Sequence, residues 1–258
     1  MRGILFGDVH LDAVTAGVAR RPEVLRFFAS IEQAVVTEDA DFVVFMGDCH
    51  DPGSMQESLY CSDLIDFAGA LGRRATFLLI PGNHDVIECS VLTHEMWPLT
   101  TLSPVRTAFA QHQNNVLTVE RPMFVEALVE GTDLGVLALP YTAKVHSGRV
   151  AGWLDDAFRD SEGWRERHPD QPFIVVGHMT VPGAVLGSES AEMARGGDRD
   201  FPFKRVAALR PSAVANGHYH RRQVVRSAGI DVVMPGSPMG FTFGEANDGG
   251  KGYLVVEV

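Results

Sequence analysis

The sequence predicts an α/β fold in which parallel strands are joined by right-handed helical crossovers. Three observations carry this. Short apolar runs without polar alternation recur along the first third of the chain. Stretches with helical spacing lie between them. The connections are short, so the order reads β-α-β-α-β, which is the pattern of a parallel sheet.

Gly3-Ile4-Leu5-Phe6 is the first apolar run, and it ends in Gly7-Asp8-Val9-His10. Pro22 to Thr37 follows with apolar residues Val24, Phe27, Phe28, Ile31 and Val35 at helical spacing and a proline in the first turn. Asp41 to Met46 is the next strand and ends in Gly47-Asp48-Cys49-His50-Asp51. Met55 to Leu71 is helical, and Ala75 to Ile80 is again a buried strand. Pro81-Gly82 stops that strand, so Asn83-His84-Asp85 falls on a turn at its carboxyl end. Alone, Gly-Asn-His-Asp is compatible with an ordinary turn. As a polar site, Asn83 offers a neutral oxygen, His84 a proton, and Asp85 a group to orient the imidazole.

Val91 to Gln113 reads as helix and loop. Val116 to Val119, Met123 to Leu128 and Leu134 to Leu139 read as short strands, with Gly131-Thr132-Asp133 as a turn. Trp153 to His168 is expected to be a helix. Phe173 to Val176 is a buried strand ending in Gly177-His178, and Val181 to Asp200, rich in Gly and Ser, reads as an active-site loop. Ala213 to Ala215 is a short strand ending in Asn216-Gly217-His218-Tyr219-His220. Val224 to Arg226, Asp231 to Met234 and Tyr253 to Val258 close the chain as antiparallel strands. With no repeat or linker, residues 1–258 read as one domain without a cap.

The 258 residues are 45% hydrophobic and 21% charged, as in ordinary soluble proteins. No apolar run reaches the length of a membrane span, and no secretory leader is apparent. Cys49, Cys61 and Cys89 form no CxxC pair, which suits a reducing cytoplasm and three inert thiols. The net charge of −11 argues against a nucleic-acid coat protein. It is unevenly spread. No Lys or Arg occurs from Phe27 to Gly72, whereas Arg195, Arg199, Lys204, Arg205, Arg210, Arg221, Arg222 and Arg226 face only Asp198 and Asp200. Such a run is either a solvated face or a phosphate-binding surface.

One event recurs five times: an apolar strand ends, often at Gly, and Asp, Asn or His follows. The carboxyl ends of strands in an α/β sheet line one crevice, so residues scattered in sequence converge there. Two aspartates, an asparagine and several histidines are too many for one tetrahedral ion. They suit two divalent cations about 3.5–4 Å apart with a bridging carboxylate, which clamp an in-line displacement at phosphorus. Asp48, mid-sheet, is the natural bridge. Mixed imidazole and oxygen donors favour manganese, iron or zinc over calcium or magnesium. Phosphoester hydrolysis follows from such a site.

The series GDVH, GDCHD, GNHD, GH and GHYH, from Asp8 to His220, resembles the calcineurin-like metallophosphoesterase superfamily. The resemblance implies a four-layer αββα sandwich, two mixed β-sheets packed face to face with helices outside. It implies one metal held by Asp8, His10, Asp48 and His220, and another by Asp48, Asn83, His178 and His218. His84 is then the non-ligand group that protonates the leaving oxygen or stabilises charge on phosphorus. Asp51, where the family carries His or Asp, and Asp85 complete the catalytic set. His50 stands where the family usually has an apolar residue and reads as a surface or core-lining histidine.

His178-Met179-Thr180-Val181-Pro182-Gly183, His218 to Gln223, Met234-Pro235-Gly236-Ser237-Pro238, Phe243-Gly244-Glu245 and Leu137 to Tyr141 are similar to the SbcD-type DNA repair nucleases. That implies manganese-dependent exonuclease action on duplex ends, endonuclease action on single strands, and an SMC-like ATPase partner of the SbcC type. The chain itself has no P-loop. The family's capping domain and ATPase-binding segment are not apparent. A small-molecule phosphodiesterase or phosphatase using the same two metals is the alternative, and a non-catalytic scaffold is disfavoured because every ligand position is filled. His94, His112, His146 and His168 read as surface residues. Met55, Leu59, Leu64, Ile65 and Phe67, with Val91, Leu92, Met96, Trp97 and Leu99, read as core. Helices of this region pair two subunits in the resembled family, so a homodimer is expected.

Overall fold

The computed structural model describes residues 1–50, 58–92, 98–110, 115–142, 147–186, 200–240, 245 and 249–258; side chains are not described at 58, 87–92, 98–99 and 147–149. The chain opens with β1 (Arg2–Phe6), a hairpin of β2 (Val14–Thr15) and β3 (Val18–Ala19), helix α1 (Arg21–Thr37), β4 (Phe42–Met46), α2 (Ser58–Gly72) and β5 (Thr76–Ile80). A second hairpin, β6 (Val86–Leu92) and β7 (Pro98–Thr100), leads to α3 (Ser103–Phe109) and β8 (Val116–Thr118). Then come β9 (Met123–Val125), β10 (Gly135–Leu139), α4 (Ser147–Arg167), β11 (Phe173–Gly177), α5 (Phe203–Ala208), β12 (Ala213–Asn216), β13 (Gln223–Ser227), β14 (Ile230–Met234) and β15 (Leu254–Glu257).

Two mixed sheets form. The first has the order β15-β1-β4-β5-β8, with β1, β4, β5 and β8 parallel and β15 antiparallel on β1. The second has the order β13-β14-β12-β11-β10-β9, with β10, β11, β12 and β14 parallel and an antiparallel strand at each edge. β1, β4, β5, β10 and β11 are almost wholly buried, as apolar strands covered on both faces must be.

Three apolar clusters define four layers. Leu5, Val44, Met46, Leu78 and Ile80 of the first sheet meet Val136, Ala138, Ile174, Val176 and Ala215 of the second. Helices α1, α2 and α3 cover the other face of the first sheet through Val24, Phe28, Ile31, Leu64, Phe67 and Val105. Helices α4 and α5 cover the second through Phe158, Trp164 and Val206. An aromatic knot ties the first outer layer: Phe6 lies 5.6, 5.4 and 6.2 Å, ring centre to ring centre, from Phe27, Phe45 and Phe67. Phe28 stacks on Phe67 at 3.9 Å.

Several sequence expectations need correction. Val91 to Gln113 is not only helix and loop: β6 and β7 pair antiparallel within and before it, with register shifts that hide their period. α4 starts earlier than Trp153, and the short α5 and the β2–β3 hairpin carry too few residues to show a period. The last three strands pair antiparallel as expected, β13 on β14 in the second sheet and β15 on β1 in the first. Leu64 and Phe67 are core, but Leu59 is 50% exposed at the start of α2, outside the packed stripe. Met55, Met96 and Trp97 lie outside the described residues, and so do the side chains of Val91, Leu92 and Leu99.

Truncating Phe6, fully buried in the aromatic knot, to Ala is expected to cost about 3–5 kcal/mol. Val224→Ala on an exposed edge strand should stay within about 0.5 kcal/mol of wild type. Urea titrations followed by near-ultraviolet circular dichroism check both; equal midpoints for the two variants would contradict this layer assignment.

Candidate metal centre

The parallel strands deliver their carboxyl ends to one rim. Asp8 and His10 follow β1, Asp48 follows β4, Asn83 follows β5, His178 follows β11, and His218 and His220 follow β12. Asp8, His10, Asp48 and His218 have left-handed backbones, with φ of 55°, 43°, 58° and 77°. That region is uncommon for residues with a side chain and is tolerated where surrounding bonds over-determine it.

Those bonds are present. The amides of Val9 and His10 donate to Asp48 O at 3.0 and 3.1 Å, and Asp8 N donates to Gly47 O at 2.8 Å, so the turns after β1 and β4 are zipped together. The Asp85 carboxylate is buried and accepts four hydrogen bonds. Its Oδ2 takes Asp48 N at 2.7 Å and Gly82 N at 2.8 Å; its Oδ1 takes Cys49 N at 3.0 Å and the Thr101 hydroxyl at 2.6 Å. Gly82 approaches so closely that a β-carbon there would collide with the Asp48 carboxylate.

The donor atoms gather in two groups. Asp8, His10 and His220 form one, and Asp48, His178 and His218 the other. His10 Nε2 stands 3.1 Å from His220 Nε2. Asn83 Oδ1 lies 3.0 Å from His178 Nε2 and 2.8 Å from His218 Nδ1, which are 3.2 Å from each other. Donors that each sit about 2.1 Å from one ion are spaced by about 3 Å around it, so these separations fit a first coordination shell. Asp48 Oδ1 accepts His84 N at 2.9 Å, while Oδ2 lies 3.4 Å from His178 Nε2 and 4.0 Å from His10 Nε2, between the two groups. Asp8 Oδ1 accepts His218 N at 2.9 Å. Asp8 Oδ2 is buried and has no hydrogen-bond partner among the described residues, the state of an oxygen shaped for a cation. The residues therefore fit two divalent ions.

Electrostatics agree. Burial, against the attraction of His178 and His220, pushes the Asp8 carboxyl up to about 7. Burial would also raise Asp48, yet His178, His84 and His10 hold it well below the usual carboxylate range. His178 is buried too, which opposes its charge, but Asp48 and Asp8 lift it to about 9. Its Nδ1 donates to Met46 O at 2.6 Å, leaving Nε2 directed at the donors above.

His84 is half-buried, with its ring edge-on to His10 at 4.9 Å. It is thus at the rim rather than in a donor group. Asp85, expected to orient His84, spends its carboxylate on the amides of the Asp48 and Gly82 turns, and it shapes the site through the backbone. Asp51 lies outside the described residues, as do His94, His112 and His146. His168 stacks on Trp164 at 4.8 Å, far from any donor group. His50 is core-lining, 1% exposed, with its Nδ1 4.0 Å from Asp12 Oδ2. Asp12 itself follows no strand end, so sequence reasoning missed it. Tyr141, quoted in a motif but given no role, packs 6.2 Å from the His218 ring and 6.5 Å from His178.

Three members of the basic run are engaged through their side chains. Arg205 pairs with Asp155 at 2.8 Å, Arg226 with Asp231 at 2.6 Å, and Arg222 donates to Gly250 O at 2.6 Å. Arg221, next to His220, is exposed; Arg195 and Arg199 lie outside the described residues. Among the described residues, Cys49 and Cys61 are free thiols, and burial pushes Cys49 well up. No helix among them is long and apolar enough to cross a membrane.

The calcineurin-like phosphoesterase family model matches residues 1–222. The SbcD subunit of the nuclease SbcCD from Bacillus subtilis (strain 168) is 27% identical over 264 residues, covering 95% of this chain. The chain spans 63% of that relative's length. Among solved structures, a dimetal phosphatase from Danio rerio superposes with a TM-score of 0.56 at 10% identity, covering 99% of this chain and 91% of the other. GAP50, the anchor in the inner membrane complex of Plasmodium, superposes with a TM-score of 0.57 at 14% identity, covering 99% and 80%. At these identities the likeness is one of fold.

Two outcomes are expected. Asp85→Asn, which sets an amide against backbone donors, should destabilise the protein by about 1–3 kcal/mol and lower metal stoichiometry; denaturant titration and elemental analysis read both. A divalent ion must displace protons from His178, charged below about 9, and from Asp8, neutral below about 7. Apparent Mn2+ affinity should therefore rise between about pH 6.5 and 8.5 with proton release, measured calorimetrically in two buffers of different ionisation heat. A pH-independent affinity would contradict this.

Proposed function

The chain belongs to the calcineurin-like phosphoesterase family, and on that premise we propose that it hydrolyses phosphodiester bonds in DNA with two divalent metal ions, manganese by preference. One observation carries the hydrolytic reading: seven nitrogen and oxygen donors from both sheets meet in two adjoining groups, with the Asp48 carboxylate between them. The two ions, when bound, supply a nucleophile at neutral pH and neutralise charge on the transferred phosphoryl group.

The residues have separable tasks in this proposal. Asp8, His10 and His220 hold one ion; Asn83, His178 and His218 hold the other; Asp48 serves both. Asp85 fixes the turns that carry Asp48 and Asn83. His84, at the rim beside His10, donates a proton to the leaving oxygen. Asp51 is assigned to the catalytic set by its place in the GDCHD motif.

DNA as substrate is supported by the similarity to the SbcD subunit across nearly all of this chain. Action on duplex ends and single strands, a place in repair or recombination, and an SMC-like ATPase partner of the SbcC type extend that reading. So does pairing of two copies. A second reading, a small-molecule phosphodiesterase, is favoured by one observation: Arg205 and Arg226 are paired with Asp155 and Asp231 and are not held out for a phosphate backbone.

End-labelled duplex and single-stranded DNA incubated with Mn2+ should be degraded, and excess EDTA should stop it. Hydrolysis of bis(p-nitrophenyl) phosphate without any cleavage of DNA would select the second reading. His84→Ala should keep both metals and lose turnover by about 10²- to 10⁴-fold; elemental analysis and initial rates separate the two effects. Unchanged turnover would remove the acid role.

A further inference from the structure

Glu245 lies beyond residue 222, where the family match ends, yet it reaches the metal centre. It is 3% exposed. Its Oε1 stands 3.5 Å from His220 Nδ1, and its Oε2 is 2.7 Å from Lys251 Nζ. On the other side of the same ring, His220 Nε2 faces His10 Nε2 within the Asp8, His10 and His220 group. An imidazole can offer Nε2 to a cation only when its proton is on Nδ1. A carboxylate facing Nδ1 favours that tautomer and fixes the ring's direction. At 3.5 Å the contact is a charge facing a ring nitrogen, longer than a formed hydrogen bond.

Two further observations fit. The Glu245 and Lys251 side chains are 1% and 8% exposed, and a charged pair so deeply buried is a weak source of stability. A role in orienting a neighbour accounts for its place here. The backbone of His220 is held independently, because its carbonyl accepts Ser237 N at 3.1 Å and a β-carbon on Gly236 would press against it at 2.7 Å. The loop after β14 thus fixes the main chain of His220, while Glu245 faces its ring at Nδ1.

We propose that Glu245, braced by Lys251, is the positioning residue of His220, setting the Nδ1–H tautomer so that Nε2 points into the first donor group. The inference rests on the reading that Asp8, His10 and His220 hold a divalent ion. Glu245 touches neither ion nor substrate in it.

The test compares wild type, Glu245→Gln, Glu245→Gln with Lys251→Met, and each Glu245 change in a His220→Ala background. Mn2+ binding is titrated calorimetrically, and the ring-nitrogen shifts of His220 are read by NMR in the metal-free protein. Glu245→Gln is expected to weaken one of the two sites by about 10- to 100-fold, leave the other within about threefold, and shift His220 from Nδ1–H to a mixture of tautomers. In the His220→Ala background the same change should add almost nothing, since the two residues act as a unit. The charge-neutral double variant keeps the test valid if Lys251 left unpaired impairs folding, and it is read in the same way. An unchanged tautomer, equal losses at both sites, or an additive loss in the His220→Ala background would overturn the proposal. Failure of wild type to bind any Mn2+ would instead remove the metal reading beneath it.

Discussion

The carboxylate of Asp85 is the junction on which the metal centre depends. It gathers the amides of Asp48, Cys49 and Gly82 and the hydroxyl of Thr101, so the turns after β4 and β5 share one acceptor. Charge-assisted hydrogen bonds of this kind are stronger than neutral ones, and a buried carboxylate without them would be costly. The bracing extends outward. Next to Thr101, the hydroxyls of Thr100 and Ser103 bond buried Glu120, which Arg106 of α3 meets at 2.7 Å. The peptide bond between Thr100 and Thr101 thus joins this polar group to the one around Asp85.

Each donor group draws on both sheets. Asp8 and His10 belong to the first sheet and His220 to the second; Asp48 belongs to the first, His178 and His218 to the second. Neither group exists in a separated sheet. Packing of Val44, Met46 and Ile80 against Val136, Ile174 and Val176 is thus a condition for assembling the site as well as for stability. Direct bonds stitch the same seam. His178 Nδ1 reaches Met46 O, His218 N reaches Asp8, and Tyr141 N donates to Pro81 O at 3.1 Å.

Backbone strain and buried charge coincide at these turns. Four of the donor-bearing residues have left-handed backbones, and two buried carboxylates face four imidazoles. The opposite directions of the Asp8 and Asp48 shifts report the tension: one carboxyl is held toward neutrality by burial, while the other is kept ionised by the surrounding rings. Cations held by the two donor groups would compensate both. Glu245 stands behind His220, and Met46 O behind His178, each on the side of the ring away from the donor groups.

The sequence determined more about the site than about its supports. Apolar runs ending in Gly-Asp, Gly-Asn-His or Gly-His locate Asp8, Asp48, Asn83, His178 and His218 because a buried strand shows itself by composition and the residue at its carboxyl end has a fixed direction. The helices α1 and α2 were legible from spacing for the same local reason. Division into two sheets was legible only through resemblance, since which strands pair is decided by contacts far apart in the chain; β15 pairs with β1 across the whole sequence. The β6–β7 hairpin escaped because shifts in register erase its alternation. Only tertiary structure revealed that Asp85 serves backbone amides, that Asp12 sits beside His50, and that Glu245 lies behind His220. Such buried polar partners are chosen by geometry between distant turns, and no local period or strand end marks them.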